Sequence, residues 1–235
     1  MAKAYEQVAD QLRELIVTEE LARGERLPSE LELADEYGVS RATVREALRL
    51  LAAQNLIRTA KGAGGGSYVT VPSAAHVSES LRSGLGLMTA AADVTLEELL
   101  ELRELLEVPA ARLAARRRSD ENVAQLRASI PGEPLRLGTR AQFAYNKGFH
   151  SAVIDASRNT LLSIAAEPVF AVLQTRLSRS RLGRTFHRSI NDHHREIAAA
   201  IGAADEDAAG VLMHEHLAFL RPYYEQAWRG IGGRA

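Results

Sequence analysis

A tight connection between two short helices near the N-terminus limits the folds that this chain can adopt. Two helices can meet closely at a short turn when the first carries a small residue, the turn a glycine and the second an aliphatic residue. Ala34, Gly38 and Val44 supply these three features at the required relative positions. An ordinary helical hairpin could show the same spacing, so the flanking sequence has to decide between the two interpretations.

Capping residues mark both helices of this connection. Ser29 and Glu32 match the capping-box pattern, which predicts a helix that begins after Ser29 and continues to about Tyr37. Ser40 is a good N-cap for the second helix, which the apolar spacing extends to about Ala53.

The segments on either side complete a compact unit. Residues 4–20 have the apolar spacing of an amphipathic helix. Two β-like runs, 56–59 and 67–71, follow the helix pair and flank the glycine-rich turn AKGAGGG. Three helices followed by a hairpin predict a winged helix-turn-helix over residues 1–72.

The remainder of the chain is predicted to be helical. Residues 73–92 are small and polar with two isolated glycines, which favours a linker containing at most one short helix. From residue 93 to 235 the pattern is helical and no strand signal appears, which predicts a mainly α protein with a C-terminal all-α antiparallel bundle. The expected elements there are a long helix from Leu96 with Pro109 inside it, helices at 119–129, 141–156, 159–178, 188–202 and 205–229, and a loop at 131–140.

Composition excludes several classes of protein. The chain has no cysteine, so disulfides and thiolate metal sites are excluded. No apolar run approaches the roughly 20 residues that cross a bilayer, and the charged N-terminus lacks the apolar core of a signal peptide. We therefore expect a soluble cytoplasmic protein with no membrane partner.

Charge is distributed unevenly along the predicted winged helix. Residues 1–36 contain ten acidic and four basic residues, whereas residues 37–61 contain five basic residues and one acidic residue. Binding to DNA phosphates needs a local basic patch rather than a basic protein. The second helix of the pair and the hairpin are therefore the predicted surface for double-stranded DNA.

The second helix is expected to lie in the major groove with its N-terminal residues against base edges. Ser40, Arg41, Thr43 and Arg45 occupy those positions, and the two arginines are one helical turn apart on one face. Each guanidinium can bind a guanine edge or clamp a phosphate. Arg49 lies further along, where a phosphate contact and an internal ion pair are both possible.

The tip of the hairpin carries the other candidate DNA contacts. Lys61 and Gly62 suit the minor groove, since a glycine lets the backbone approach closely. A second basic run could be another nucleic-acid surface or a solvated helix end; it contains Arg176, Arg179, Arg181, Arg184 and Arg188.

Residues 27–69 resemble the GntR family of bacterial regulators, on the sequence LPSELELADEYGVSRATVREALRLLAAQNLIRTAKGAGGGSYV. Many members carry a DNA-contacting arginine directly after the P-S-E triplet, but this chain has Leu31 there. The second half resembles the FadR-type subgroup with an FCD effector-binding domain, on ELRELLEVPAARLAARR (101–117), YNKGFHSAVIDASRNTLL (145–162), HREIAAAI (194–201) and HEHL (214–217). The resemblance implies a helical bundle with a central pocket in a homodimer.

The resemblance also implies a divalent metal site. In this subgroup an aspartate and three histidines often hold the metal, and these positions carry Asn146, His150, His194 and His216 here. Imidazole suits zinc, nickel and similar transition ions. Because a neutral amide is a weaker ligand than a carboxylate, we expect weaker binding than in aspartate-bearing relatives. The histidines could instead line a pocket or core without metal; His193 and His214 are expected at the surface.

The resemblance suggests that Arg103 points into the pocket and anchors the carboxylate of a small organic acid. The alternative is an exposed helix arginine paired with Glu107. The leading hypothesis is a dimeric repressor that binds a palindromic operator and responds to this effector. A metal-dependent hydrolase-like enzyme using His150, His194 and His216 is the alternative, but the sequence has no H-E-x-x-H motif and carries a DNA-binding domain.

Overall fold

A computed structural model describes residues 3–62, 65–132, 140–177 and 183–232. Within these ranges the chain forms ten α-helices and one two-stranded antiparallel sheet, which confirms the mainly α fold predicted from the sequence. It divides into two compact units, Met1–Ser73 and Ala74–Ala235. No helix in the described part of the chain is long and apolar enough to span a membrane.

The N-terminal unit begins with three helices: α1 (Ala4–Val17), α2 (Glu30–Tyr37) and α3 (Arg41–Ala53). The predicted capping box is present, because Ser29 Oγ accepts the Glu32 N–H and the Glu32 carboxylate accepts the Ser29 N–H at 2.7 Å. Gly38 ends α2 in the left-handed conformation with φ +63°, which glycine adopts without steric cost. The first helix is three residues shorter than the predicted 4–20, since Thr18 caps it.

The hairpin follows directly and shares the core of the three helices. Strand β1 (Ile57–Ala60) pairs with β2 (Gly66–Val69), with Ile57 opposite Val69. Both of these side chains are buried with the helix residues, so the hairpin lies against the helices rather than projecting freely. The strands differ by one or two residues from the predicted runs 56–59 and 67–71.

The predicted linker at 73–92 is wrong for most of its length. Residues Ala74–Ala90 form a 17-residue helix, α4, which belongs to the C-terminal unit and packs against α8 (Thr160–Leu177). Small residues and two glycines give this segment a weak intrinsic preference for helix. Packing against a neighbouring helix stabilises it, a contribution that a local pattern does not reveal.

The other helices of the C-terminal unit are α5 (Leu96–Arg117), α6 (Asp120–Ala128), α7 (Arg140–Ala156), α9 (Arg184–Gly202) and α10 (Glu206–Gly232). Helix α9 begins four residues before the predicted 188, and the predicted loop 131–140 lies mostly outside the described residues. Helix α5 packs against α7, α8, α9 and α10. The buried alanines of α5, here called its alanine stripe, let these helices approach closely and place the middle of α5 in the interior. They are Ala110, Ala111, Ala114 and Ala115.

Candidate DNA interface and candidate metal centre

Local hydrogen bonds organise the N-terminus of α3, where the first base contacts are predicted. Ser40 Oγ accepts the backbone N–H of Thr43 at 3.1 Å, and the two side-chain hydroxyl oxygens lie 2.9 Å apart. Ser40 is therefore the N-cap, as predicted. The cap holds the first turn of α3 in shape, and Ser40 itself is exposed.

Arg41 and Arg45 share one carboxylate, that of Glu30 at the start of α2. Arg45 donates to Glu30 through Nε and an η nitrogen at 3.2 and 2.8 Å, whereas Arg41 lies 4.0 Å from the same carboxylate. Hydrogen bonding to Arg45 lowers the pKa of Glu30, so the carboxylate stays charged. The shared partner places both arginines on one face of α3. Arg41 is the less restrained, with 62% of its side chain exposed.

Glu30 is a feature that sequence reasoning missed. It lies fifteen residues before Arg45 and on a different helix, so only the packing of α2 against α3 brings them together. Arg49, for which an ion pair and a phosphate contact were both predicted, forms an ion pair with Glu46 at 2.6 Å. Both partners are exposed, so this pair leaves Arg49 accessible.

The hairpin presents Lys61 and Gly62 at its exposed end. Gly62 has φ +100°, a conformation in which a side chain would be strained. Arg58 on β1 lies over the ring of Tyr68 on β2, 4.8 Å from its centroid. Leu31, which stands where many relatives have arginine, is also exposed, so the surface next to α3 carries an apolar side chain there.

In the C-terminal unit, three buried histidines from three helices converge. His150 is in α7, His194 in α9 and His216 in α10. The His216 Nε2 atom lies 3.3 Å from Nε2 of His194 and 3.3 Å from Nε2 of His150. One nitrogen from each ring lies within 4.8 Å of the others. The structure thus brings together the three histidines that the family resemblance singled out.

The two nitrogen separations of 3.3 Å, both measured from His216 Nε2, fit a shared transition metal. Two nitrogens bound at about 2.0–2.1 Å to one tetrahedral ion are about 3.3–3.4 Å apart. Burial holds the pKa of His194 and of His216 well below the ordinary histidine value, so both rings are neutral and their lone pairs can bind a metal. The donor set of three imidazoles is one that zinc and nickel accept.

Asn146 is the candidate fourth donor of this site. It lies one turn before His150 on α7 and is buried, and its Oδ1 atom has no hydrogen-bond partner among the described residues. A buried carbonyl oxygen left unpaired costs about 1–3 kcal/mol. A bound ion would satisfy it, so the residues present fit a divalent metal with an amide as the weakest ligand.

A buried acidic residue, Glu107 of α5, holds the other side of His150. His150 Nδ1 lies 2.5 Å from Glu107 Oε2, and the same carboxylate accepts a hydrogen bond from Arg103 Nε. Burial acts to raise the pKa of Glu107, but Arg103 and His150 outweigh it and hold the pKa below its usual value. The charged carboxylate favours the proton of His150 on Nδ1, which leaves the lone pair of His150 on Nε2, the nitrogen that lies 3.3 Å from His216 Nε2.

Arg103 is buried beside the histidines. Its Nη1 atom donates to the Tyr224 hydroxyl at 2.9 Å, and its Nη2 atom lies 3.0 Å from His150 Nε2. The predicted alternative of a pair with Glu107 is right about the partner but wrong about exposure, since both side chains are buried. Glu107 and Tyr224 were not identified as site residues from the sequence. Glu107 continues the buried alanine stripe of α5, which is the signal that could have revealed it.

Arg103 also lines a cleft of about 190 Å³ between α5 and α10. Ion pairs join the two helices on either side of this cleft, Glu97 with Arg221 and Glu104 with His214. The small side chain of Ala218 lies between them on α10 and forms part of the lining. Arg103 therefore contributes both to the lining of this cleft and to the contacts around His150.

The remaining histidines near the site differ in their surroundings. His214 is exposed and pairs with Glu104 at 2.8 Å, as expected for a surface residue. His193 was expected at the surface too, but it is only partly exposed, and its Nδ1 lies 3.4 Å from Nδ1 of His216. Its face of α9 turns partly toward α10, which explains the error.

Comparison with protein families decides what kind of protein carries these two sites. Residues 4–67 match the model for bacterial regulatory proteins of the gntR family, and residues 98–219 match the FCD domain. The chain belongs to the GntR family. Its members are transcription regulators, not enzymes, so the hydrolase alternative is dropped.

Individual relatives agree with this GntR assignment. The chain is 31% identical to the HTH-type transcriptional regulator LutR of Bacillus subtilis (strain 168), over 90% of this chain and 99% of LutR. It is 48% identical over 60 residues to the mannosyl-D-glycerate transport/metabolism system repressor MngR of Escherichia coli (strain K12), over 26% of this chain and 25% of MngR. The solved structure of Streptococcus agalactiae GntR aligns with TM-score 0.57 and 28% identity, over 93% of this chain and 99% of that one.

The family assignment also bears on the second basic run. Arg179 and Arg181 lie outside the described residues, as does the side chain of Arg176. Arg184 and Arg188 begin α9 and are exposed. The winged helix already supplies the DNA-binding module of a GntR regulator, so this run is not needed for that role.

Proposed function

We propose that this GntR-family protein is a homodimeric repressor whose affinity for a palindromic operator is set by a small carboxylate effector bound in the FCD domain. A divalent transition metal assists that binding. The observation that carries the proposal is the convergence of three histidine nitrogens beside a buried arginine. The histidine cluster with its arginine would bind the effector, and the winged helix would bind the operator. One chain would then couple the two binding events.

The DNA-binding half rests on α3 and the hairpin. Arg41 and Arg45 face the same way from the first turns of α3, and either can make a bidentate contact to guanine. Ser40 and Thr43 offer hydroxyls to phosphates, Arg49 extends the basic face, and Lys61 and Gly62 are available to the minor groove. Leu31 removes one contact common in relatives, so more of the recognition depends on α3.

The sensing half rests on the histidine cluster. His150, His194 and His216 would hold the metal, with Asn146 Oδ1 as a further ligand. When bound, the ion supplies a Lewis-acidic position for a carboxylate oxygen. Glu107 fixes the tautomer of His150, and Arg103 faces His150 Nε2, the atom that His216 Nε2 also faces. An acid bound at the histidines is therefore within reach of the guanidinium.

The regulatory direction and the assembly complete the proposal. MngR, whose matching segment is 48% identical to this chain, is named as a repressor, which supports repression here. A homodimer on a palindromic operator would place two copies of α3 about 34–36 Å apart, one turn of DNA. Effector binding would change operator affinity only if it favours one of the two states of that dimer.

The test measures operator binding and ligand binding on the same preparation. A DNA sequence selected from a random pool on the purified protein is expected to be palindromic. Fluorescence anisotropy then measures its affinity with Zn²⁺ or Ni²⁺, with and without a panel of small carboxylates. We expect at least one metal-dependent acid to weaken operator binding, and His216→Ala to abolish that response without changing the affinity of the effector-free protein for DNA. A panel that changes nothing on metal-loaded protein contradicts the sensing half.

A further inference from the structure

Strand β2 of the hairpin has a neighbour along both of its edges. One edge pairs with β1. On the other edge, the Val69 N–H donates to the Glu25 carbonyl at 2.8 Å, and the Leu27 N–H donates to the Ser67 carbonyl at 2.8 Å. The loop between α1 and α2 therefore runs beside the hairpin for a few residues, with Arg26 directly opposite Tyr68.

The backbone of this loop does not extend the pairing to the tip of the hairpin. Backbone groups on one edge of a strand come from alternate residues, so the next carbonyl after Ser67 on this edge is that of Gly65. The donor two residues after Leu27 is the Ser29 N–H, which instead donates to the carboxylate that closes the capping box of α2. The start of α2 thus takes away the backbone donor that would have reached Gly65.

The side chain of Arg26 supplies a donor in its place. Its Nη2 atom donates to the Gly65 carbonyl at 2.8 Å. Gly66 has no side chain, and a Cβ atom there would lie 2.7 Å from Arg26 Nε, so the guanidinium lies directly against the hairpin backbone. A charged donor also makes a stronger hydrogen bond than a neutral one.

The bond reaches a tip that is closed by its own backbone. The Gly65 N–H donates to the Gly62 carbonyl at 2.8 Å. A Cβ atom on Gly65 would lie 2.8 Å from the Gly62 carbonyl oxygen and 2.9 Å from that of Ala60, so the chain is tightly packed on itself here. A constraint on the Gly65 carbonyl is therefore also a constraint on Gly62 and on the adjacent Lys61.

We infer that Arg26 is a positioning residue for DNA binding, whose guanidinium holds the hairpin tip in the conformation that brings Lys61 and Gly62 to the minor groove. This role rests on the proposed function, which places those two residues in the groove. Arg26 itself lies outside both the helix pair and the hairpin, and it acts on the DNA through the tip.

The expected benefit is preorganisation of the tip. A turn rich in glycine loses much conformational freedom when it is fixed in a groove. A hydrogen bond that already orders the turn in the free protein reduces that cost at binding. Because Arg26 is exposed, its replacement should affect DNA affinity more than the stability of the fold.

A double-mutant cycle separates positioning from a direct contact of Arg26 with DNA. Fluorescence anisotropy measures the affinity of full-length wild type, Arg26→Met, Lys61→Ala and the double variant for the operator selected on the wild type. Methionine keeps an unbranched side chain but removes the donor. Arg23→Met is the matched control, because Arg23 is an exposed arginine of the same loop and its loss changes the net charge equally. Hydrogen–deuterium exchange of the DNA-free proteins is measured for the hairpin and for α1–α3.

We expect Lys61→Ala and Arg26→Met each to weaken operator binding about threefold to tenfold, the effect of roughly one hydrogen bond. In the Arg26→Met background, Lys61→Ala should cost less than about twofold, because a displaced tip no longer brings Lys61 to the groove. Arg23→Met should also stay within about twofold of wild type. Arg26→Met is expected to exchange faster in the hairpin and at an unchanged rate in α1–α3.

Three results would overturn the inference. Lys61→Ala may cost the same factor in both backgrounds, which shows that Arg26 acts independently of the tip. Arg26→Met could bind the operator as tightly as wild type, or could exchange faster throughout α1–α3, which marks a general structural role. The proposed contact of the tip with DNA survives all three results as long as Lys61→Ala weakens binding by wild type. If Lys61→Ala leaves that affinity unchanged, the contact and the role of Arg26 fail together.

Discussion

Glu107 Oε2 lies 2.5 Å from Nδ1 of His150, on the side of the imidazole ring opposite the nitrogen that faces His216. A carboxylate behind a histidine orients the ring and increases its basicity toward a metal. Because both residues are buried, no water competes for this contact. The properties of the candidate metal centre therefore depend on a residue of α5 that is not itself a ligand.

Replacement of Glu107 by glutamine is expected to weaken Zn²⁺ or Ni²⁺ binding by about 10–100-fold, the usual effect of losing such a partner. It also leaves Arg103 buried beside a neutral group, which destabilises a protein by about 3–5 kcal/mol. Isothermal titration calorimetry and thermal melts measure the two effects. Glu104→Gln is the matched control, because Glu104 lies on the same helix but is exposed. This substitution should change neither the metal affinity nor the melting temperature. Equal metal affinity in folded Glu107→Gln would refute the positioning role.

Replacement of Arg41 by alanine is expected to cost about 1–3 kcal/mol of operator affinity if Arg41 reads a base. The loss should be specific to the operator, with a much smaller change on unrelated DNA. Gel-shift titrations on both DNAs check this. Arg82→Ala removes an arginine of α4 that is exposed to a similar degree and pairs with Glu79, so it serves as the control. Operator binding by Arg41→Ala as tight as wild type contradicts the contact.

Replacement of Glu30 by glutamine is expected to strengthen binding to any DNA severalfold. The carboxylate occupies Arg45 and lies near Arg41 in the free protein, and its negative charge would also repel phosphates. Anisotropy titrations over a range of salt concentrations measure both affinity and salt dependence. If Glu30 instead orients Arg45 for a base contact, the substitution will lower operator affinity and leave non-specific affinity unchanged.

Metal removal is expected to lower the melting temperature of the C-terminal unit. A ligand at a hundred times its Kd stabilises the folded state by about 2.7 kcal/mol, which corresponds to about 5 °C or more for a chain of this size. Scanning calorimetry with Zn²⁺ and with a chelator measures the shift. His216→Ala, which loses one of the three nitrogens, should melt at the same temperature in both conditions. A wild-type protein that is insensitive to the chelator argues for a metal-free cluster.

Short-range signals in the chain were enough to predict the local elements and the family. Ser29 with Glu32, Gly38 and Ser40 fixed the two helices of the N-terminal unit, since caps and left-handed glycines act within a few residues of the chain. The family resemblance led to the three histidines of the metal cluster. These signals are short in range or repeated in relatives, so the sequence alone conveys them.

Which of these residues meet, and what surrounds them, depends on how the helices pack. Residues 74–90 became a helix because α8 covers them, against a weak local preference. Glu30 reached Arg45 through the packing of α2 on α3. Glu107 and Tyr224 entered the site because the alanine stripe of α5 draws four helices around it. Burial and partnership depend on contacts between residues far apart in the chain, which no local pattern encodes.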